Sequence, residues 1–289
     1  MRLIRPSAEI WTQEAGISGI YKQIERCARV CYKSEDKIGE GTAEKMVEML
    51  TKRGHTAMLE HGTVYLAMPM ETIIPIEANG WGKYTKNPYS KGFKICEVNG
   101  QKRVAVTTNL RVLVENGWLD DLKYICEPTE YHERRITVRF VCDRGVSHEF
   151  VRHRVFSFAQ ESTRYCNYSK DKFGNEITFI EPCWLDSYNY NGNTYGNCFL
   201  TALEAAEASY FDLLKKWDDK IPDKRYKTGF RNNPWTPQQA RAILPNSLKT
   251  ELVMTGFISD WKHFFELRTA QNAHPQMREL AIPLKEMMI

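Results

Sequence analysis

The segment from residue 136 to residue 156 places the strongest constraint on how this chain can fold. Ile136–Cys142 alternates in side-chain character with a period of two, which predicts a central β-strand. Asp143-Arg144-Gly145 predicts a turn after this strand, and Val146–Phe156 predicts a helix. This succession of strand and helix favours a mixed α/β protein. The predicted helix ends in a dense group of cationic side chains.

This cationic group, Arg152–Tyr165, contains three arginines and a histidine together with hydroxyl and amide side chains. Guanidinium groups so close together repel one another unless carboxylates or phosphates neutralise them. Phe156, Phe158 and Tyr165 lie between the charges. Interleaved cations and aromatic rings suit a partner with both a phosphate and a flat ring, which means a nucleotide, a flavin or a single strand of nucleic acid. A solvated basic surface is the simpler alternative.

Length and composition limit the class of protein. The 289 residues suffice for a sizeable core and contain no obvious linker, so we expect one domain over residues 1–289. Forty basic against 36 acidic residues leave a net charge of only +4, which argues against a protein that coats nucleic acid. Mean hydropathy is −0.51, and we expect neither a membrane span nor a signal peptide. Eight cysteines without a Cys-x-x-Cys pair indicate reduced thiols, a cytoplasmic location and no metal site.

Apolar spacing predicts the other elements. Helical patterns begin with Ser18–Tyr32 and Thr42–Lys52, the second with Thr42 as its N-cap and Gly54 just past its end. Two stretches rich in Gly, Asn, Tyr and Lys predict insertions or long loops, Gly80–Gly100 and Ser187–Asn197. The remaining predictions are strands over Val64–Met68 and Lys249–Phe257 and helices over Asn109–Asn116, Phe199–Trp217, Thr236–Leu244 and Ser259–Arg268.

Two histidine motifs suggest metal sites, but their spacing argues against them. His148 and His153 resemble the His-Glu-x-x-His motif of zinc proteases, yet they are five positions apart. On a helix this separates them by roughly 140°, so they cannot bind one metal from one face. His55 and His61 could be metal ligands together with Glu60, but no further ligand stands at usable spacing. This favours a hydrogen-bonded turn between helix and strand over a metal centre.

The central segment resembles a known signature. Arg152-His153-Arg154, seven further residues, Ser162 and then Arg164-Tyr165 are similar to the motif of the flavin-dependent thymidylate synthases. Gly54-His55, followed by Glu60-His61 before a strand, resembles a second landmark of that family. The carboxy-terminal part resembles it through Ala240–Pro245, Trp261–Arg268 and His274.

The resemblance covers roughly Gly54–Met68, Val146–Tyr165 and Gln239–Ala281. It implies an α/β fold with a twisted, mainly antiparallel sheet flanked by helices, and insertions near residues 72–134 and 167–198. Ala57 stands where the family often has a hydroxyl residue, and Phe257 replaces a common Asn. The hydrogen bonds made from those positions are therefore in doubt.

The resemblance also implies a role for each matching residue. Arg268 would bind and polarise the uracil ring and is the implied catalytic residue. Without the resemblance, Arg241 is a solvated charge, and Arg268 is either snorkelling or anchored in a pocket. The implied dUMP-binding residues are Glu149, Arg152, Gln160, Glu161, Ser162, Thr163, Arg164, Arg241 and Arg268. The implied FAD-binding residues are His55, Arg152, His153, Arg154, Gln160 and His263.

The implied reaction is reductive methylation of dUMP to dTMP, with methylenetetrahydrofolate as one-carbon donor and FAD with NADPH as reductant. The family forms its site at subunit contacts of a homotetramer, so we expect self-association but no nucleic acid or membrane partner. The unrelated thymidylate synthases use a Pro-Cys-His nucleophile. Pro182-Cys183-Trp184 lacks that histidine, and Ser162 has no base spaced to activate it, so we expect no enzyme nucleophile.

Two other functions remain open at this point. A single-strand RNA or DNA binding protein would use the same arginines and aromatic rings, would bind no flavin and would depend steeply on salt. A flavoprotein reductase without methyl transfer would oxidise NADPH whether or not dUMP is present.

Overall fold

The computed structural model describes residues 1–70, 82–98, 100–185, 194–215 and 234–288. The strands of these residues are β1 (Arg2–Ile4), β2 (Ser7–Trp11), β3 (Thr63–Pro69), β4 (Lys91–Val98), β5 (Gln101–Asn109), β6 (Arg135–Asp143), β7 (Ser157–Gln160), β8 (Thr178–Ile180) and β9 (Lys249–Phe257). The helices are α1 (Gly16–Tyr32), α2 (Thr42–Lys52), α3 (Leu110–Asn116), α4 (Arg144–Phe150), α5 (Thr194–Leu214), α6 (Pro237–Ala240), α7 (Ile258–Arg268) and α8 (Pro275–Met288).

The described strands form three sheets. An antiparallel sheet has the order β2-β6-β9-β7, a second antiparallel sheet has the order β3-β5-β4, and β1 pairs in parallel with β8. The expected mixture of helices and mainly antiparallel strands is therefore confirmed. The strands are divided among several sheets instead of forming one.

One face of the four-stranded sheet carries the core that positions the arginines. Leu252 and Met254 of β9 lie on this face with Val138 and Phe140 of β6, as the period of two along each strand requires. Helices α4, α7 and α8 cover them with aromatic and aliphatic side chains. Trp261 of α7 is fully buried, and its indole N–H donates to Ile136 O at 3.1 Å. This bond fixes α7 against the sheet.

The opposite face of the sheet packs on α1. Trp11, Ala159 and Val253 contact Cys27 and Val30 of that helix. The other side of α1, together with α2, covers the three-stranded sheet. Helix α1 is thus the layer between the two antiparallel sheets.

Most of the predicted elements are confirmed. Both amino-terminal helices form, Val64–Met68 lies in β3, Lys249–Phe257 is β9, and the helix before Arg268 begins at Ile258. The N-cap prediction for Thr42 is wrong, because Gly41 occupies that position with φ 67°. The Thr42 hydroxyl donates to Gly39 O at 2.8 Å and so serves the preceding turn.

The predicted helix Val146–Phe156 is wrong in its second half. Helix α4 ends at Phe150, and a turn carries residues 151–156 to strand β7, which the sequence analysis missed. Phe156 is drawn out of the helical path because its ring packs edge-to-face on Trp261 at 4.8 Å. Pairing of Ser157–Gln160 with β9 then makes the chain extended. Arg152 and Arg154 consequently lie on a turn between helix and strand, whereas Arg164 follows β7.

The long loop predicted over Gly80–Gly100 is also wrong for residues 91–98, which form β4 against β5. Gly92 has φ 111° and Phe93 φ 54°, and the strand register shifts between Gly92 and Lys94. Such a bulge tolerates a composition that otherwise suggests a loop. Residues 187–193 of the second predicted loop, and Trp217 at the predicted end of α5, lie outside the described residues. In the described part of the chain, no helix has the length and apolar content that a membrane span requires.

Candidate anion-binding active site

Arg268, at the end of α7, is held by two residues from the other predicted groups. Its Nη1 donates to Glu149 Oε2 at 2.6 Å and its Nη2 to Glu149 O at 2.8 Å. Its Nε donates to His153 Nε2 at 2.8 Å. Phe264 and Phe265 on the same helix are buried in the core and fix the direction of α7. Arg268 is therefore anchored, which settles the alternatives left open by its sequence pattern.

His153 is held in its neutral form by its surroundings. Burial, the Arg268 guanidinium and His263 together lower the pKa of His153 to about 4. Since Nε2 accepts the bond from Arg268, the ring proton resides on Nδ1. A neutral imidazole is thus an obligatory part of the arrangement that orients Arg268.

Arg152 and Arg154 flank this buried histidine and are both exposed. Within the described residues, neither guanidinium has a carboxylate within ion-pair distance. Two exposed cations on either side of a neutral ring, without internal partners, leave their donors free for an external anion.

The loop that follows β7 holds the second group of predicted residues. Thr163 is buried, and its hydroxyl accepts a bond from Arg241 Nη1 at 3.0 Å. Arg241 reaches it from the short 3₁₀ segment Arg241–Ile243 that follows α6. Arg164 is exposed and lies over the ring of Tyr165, with its guanidinium carbon 5.4 Å from the ring centroid. The structure therefore brings Arg241 to the loop, as the resemblance implies.

Two residues of this loop face inward. Gln160 Nε2 donates to Ser147 Oγ at 2.9 Å and to Thr250 Oγ1 at 3.3 Å. Glu161 is 3% exposed, and its carboxylate accepts from Lys249 Nζ at 2.8 Å. Both side chains are thus engaged within the protein, and the Glu161 N–H also donates to Glu251 O at 2.8 Å, so any contact of these two residues with a ligand is narrower than the resemblance suggests.

His55 lies beside a third region. It is exposed and lines a cavity of about 430 Å³ together with Cys31, Tyr32 and Met58. This cavity adjoins the loop, because Tyr32 contacts Tyr165 with 5.2 Å between ring centroids.

The neighbours of His55 in the second motif are structural, as expected. Glu60 pairs with Arg111 Nη1 at 2.5 Å. His61 is fully buried, with its Nδ1 2.8 Å from Thr255 Oγ1. In the described residues, no three His, Cys, Asp or Glu side chains come together in a way that could hold a metal ion.

Other predicted residues are not gathered into one pocket by a single chain. Glu149 lines a cavity of about 500 Å³ with Asp143, Trp184 and His274, separate from the cavity of His55. Of these four residues, only Glu149 was predicted to bind a ligand. His263 is exposed, and its ring nitrogen lies 3.4 Å from Glu266 Oε2. Cys183 is exposed, and partial burial together with Glu279 raises the pKa of its thiol. No cation that would activate it is among the causes of this shift.

The sequence analysis also missed a group of charges beneath the loop, formed by Lys33, Arg139, Lys249 and Glu251. Glu251 is 4% exposed and accepts from Lys249 at 2.6 Å, from Lys33 at 2.8 Å and from Arg139 Nη2 at 2.7 Å. Lys249 and Glu251, two positions apart on a predicted strand, could have indicated these ion pairs. Charges at consecutive inward positions of a central strand require partners.

The fold and these side chains define a class of protein: an α/β protein with exposed guanidinium groups at Arg152, Arg154 and Arg164 and an anchored one at Arg268. Guanidinium groups suit anionic partners. A family model described as thymidylate synthase complementing protein matches residues 128–289, and the chain belongs to this family.

Individual relatives agree with this assignment. The chain is similar to flavin-dependent thymidylate synthases of Mycolicibacterium gilvum (32% identical over 139 residues, 48% of this chain and 51% of the relative) and Corynebacterium diphtheriae (30% over 145 residues, 50% and 53%). The same holds for that of Mycobacterium tuberculosis strain H37Ra (32% over 139 residues, 48% and 51%). The chain spans about half the length of the curated relatives it matches.

Proposed function

We propose that this protein is an enzyme that converts dUMP to dTMP by reductive methylation. In this proposal methylenetetrahydrofolate donates the carbon, FAD is the bound cofactor, NADPH is the reductant, and no enzyme thiolate attacks the uracil. Family membership and the names of the relatives support the reaction class. The finer assignments are supported by the chemistry of the side chains.

The observation that carries the proposal is the partial engagement of Arg268. A guanidinium has five N–H donors, and Glu149 and His153 use one on each nitrogen. One donor therefore remains on each terminal nitrogen, and the side chain is 15% exposed. Two donors held in fixed positions at the edge of a site can bind the carbonyl oxygens of a pyrimidine and stabilise negative charge as it develops on the ring.

The donor set also fits a phosphate-bearing flavin. Arg152 and Arg154 offer exposed, unpaired guanidinium groups, and neutral His153 between them adds no further repulsion. We propose that these residues hold FAD with His55, Gln160 and His263. When bound, the flavin would supply the hydride that completes the methyl group. Glu149, through its bonds to Arg268, would orient the uracil against it.

The phosphate of dUMP would be held by the loop after β7. Arg164 and Arg241 supply the charge, while the hydroxyl groups of Ser162 and Thr163 complete the binding site. Glu161 would hold this loop in place through its own N–H, which donates to Glu251 O at 2.8 Å. Arg152 is the remaining proposed contact to dUMP.

A thiolate route finds no support among the thiols of this chain. Burial raises the pKa of Cys126 to about 11 and that of Cys166 to about 12, and it also raises the pKa of Cys31 and Cys183. A raised pKa leaves little thiolate at neutral pH. Polarisation of the ring by Arg268 is the alternative that the side chains offer.

We further propose that the protein is a cytoplasmic homotetramer with the family's fold. Because His55 and Glu149 of one chain line different cavities, neighbouring copies would complete each site.

The decisive experiment combines spectroscopy with product analysis. Purified protein is expected to show flavin absorbance and to form dTMP from dUMP, methylenetetrahydrofolate and NADPH. Arg268→Ala should lower the rate of dTMP formation at least about 100-fold, the order expected for loss of one preorganised donor, while flavin stays bound. Arg103→Ala, which removes a guanidinium from the other antiparallel sheet, is the matched control and should remain active.

Three outcomes would contradict the proposal. Normal turnover by Arg268→Ala would refute the role of that residue. NADPH oxidation that is indifferent to dUMP, without dTMP, would indicate a reductase. Absence of flavin together with salt-sensitive binding of single-stranded nucleic acid would indicate a nucleic-acid binding protein.

A further inference from the structure

The loop Glu161–Arg164 is attached to the rest of the protein at two backbone positions. Glu161 N donates to Glu251 O at 2.8 Å, and Ser162 N donates to Cys31 O at 3.0 Å. The loop therefore lies between strand β9 and the end of helix α1. Beyond Ser162, the Thr163 hydroxyl accepts from Arg241 at 3.0 Å, and the exposed Arg164 lies over the ring of Tyr165.

Beneath this loop lies a buried ion cluster, which we define as Glu161, Glu251, Lys249, Lys33 and Arg139. The side chains of Glu161 and Glu251 are 2% and 5% exposed, and that of Lys249 is 15% exposed. Lys249 Nζ bridges the two carboxylates, at 2.8 Å from Glu161 and 2.6 Å from Glu251. Burial alone would raise the pKa of Glu251, but Lys249 and Lys33 outweigh it and lower that pKa to about 2.

The two carboxylates depend unequally on Lys249. Glu251 also pairs with Lys33 at 2.8 Å and with Arg139 at 2.7 Å, so it keeps two cations when Lys249 is removed. For the Glu161 carboxylate, Lys249 is the single ion-pair partner among the described residues. A buried carboxylate without a cation is strongly unfavourable and moves into water if the chain allows it. Loss of Lys249 should therefore displace Glu161, while the packing of β9 is largely retained.

We propose that Lys249 is a positioning residue for phosphate binding: by neutralising Glu161 it keeps that residue buried and so holds Ser162, Thr163 and Arg164 in place for the phosphate of the substrate. This inference rests on the proposed function, because it takes the substrate to be a nucleoside monophosphate. In this proposal Lys249 acts through Glu161 and not by contact with the substrate, since two of the three N–H donors of its ammonium group bind the buried carboxylates.

The test compares substitutions that separate charge from structure. Lys249→Met removes the cation, Lys249→Arg retains it, and Lys249→Met combined with Glu161→Gln removes the cation and the uncompensated charge together. Lys52→Met is the matched control, because Lys52 forms an exposed pair with Glu48 on α2, with side chains 73% and 61% exposed. Binding of dUMP to the flavin-loaded protein is measured by calorimetry, and KM and kcat are measured separately.

We expect Lys249→Met to weaken dUMP binding and raise its KM at least about tenfold, with kcat at saturating dUMP changed far less. Lys249→Arg and Lys52→Met should bind as the wild type does, and the double variant should recover most of the affinity. Flavin absorbance should be the same in all of them.

The outcomes distinguish this inference from the function on which it rests. If the wild type does not bind dUMP, the proposed function fails. If the wild type binds dUMP but Lys249→Met binds it equally well, the positioning role is wrong. An insoluble Lys249→Met protein, or a double variant as weak as Lys249→Met alone, would likewise refute the claim that Lys249 acts through Glu161 on the loop.

Discussion

His61 should make the protein sensitive to mild acid. Its side chain is fully buried, its Nδ1 lies 2.8 Å from Thr255 Oγ1, and it comes directly before the strand that enters the core of the second sheet. Burial, and to a smaller degree the Arg135 guanidinium, lower the pKa of His61 to about 3. The folded protein therefore keeps this ring neutral between about pH 6.5 and pH 3, where an exposed histidine would be protonated.

The sign and size of the effect follow from the two pKa values. The pKa of a histidine in the unfolded chain is about 6.5, so the unfolded chain binds more protons than the folded one between about pH 6.5 and pH 3. The contribution of neutral His61 to stability is thus fully present above this window and is lost as the pH falls through it. Between pH 7 and pH 5 the free energy of unfolding should fall by about 2 kcal/mol on account of His61. His153, with its pKa lowered to about 4 by burial, Arg268 and His263, adds a loss of the same sign and similar size.

The measurement is urea denaturation at pH 7 and pH 5, followed by tryptophan fluorescence. His61→Gln is expected to lose less stability between the two pH values than the wild type, by about 2 kcal/mol, whatever its absolute stability at pH 7. His148→Gln replaces an exposed histidine and should keep the wild-type difference. If His61→Gln and the wild type lose the same amount, the neutral buried state assigned to His61 is wrong.

Three further predictions concern the packing at Gly256, the thiol of Cys183 and the helix cap at Asn109. Gly256→Ala should lower the free energy of unfolding by about 1–3 kcal/mol in urea denaturation, because the added methyl group would lie 2.3 Å from Phe156 Cδ1. Cys183→Ala should retain dTMP formation in a product assay, and a folded but inactive variant would restore a thiolate mechanism. Asn109→Ala should cost about 1 kcal/mol in the same denaturation measurement, because it removes the cap that accepts from Val112 N at 3.1 Å; an unchanged midpoint would contradict the capping role.

Much of the secondary structure could be predicted because its causes are local. Strand β9 coincides with the strand predicted over Lys249–Phe257, and α3 is bounded by Asn109 as its N-cap and by Gly117, whose φ of 70° suits glycine. Such signals lie within a few residues of the element that they define. They require no knowledge of the rest of the chain.

Two of the errors occurred where distant contacts override local preference. Val151–Phe156 has the composition of a helix, but the contact between Phe156 and Trp261 and the pairing of β7 with β9 connect residues about a hundred positions apart. The same applies to the ion cluster: Lys33 and Glu251 are separated by 218 positions, so no local pattern could pair them. Motif resemblance predicts roles for Arg268 and Arg241, but it gives no indication of the ion cluster that holds the loop Glu161–Arg164.

The neutral state of His153 and the orientation of Arg268 depend on each other. Arg268 can donate to His153 only while Nε2 keeps its lone pair, which requires a neutral ring. Burial, Arg268 and His263 maintain that neutrality by lowering the pKa of His153 to about 4. The neutral ring in turn fixes Nε of Arg268, and Glu149 fixes the two terminal nitrogens. A guanidinium bound on all three nitrogens cannot rotate to follow a ligand. In the proposed function, the uracil would therefore have to bring its carbonyl oxygens to the two remaining N–H donors.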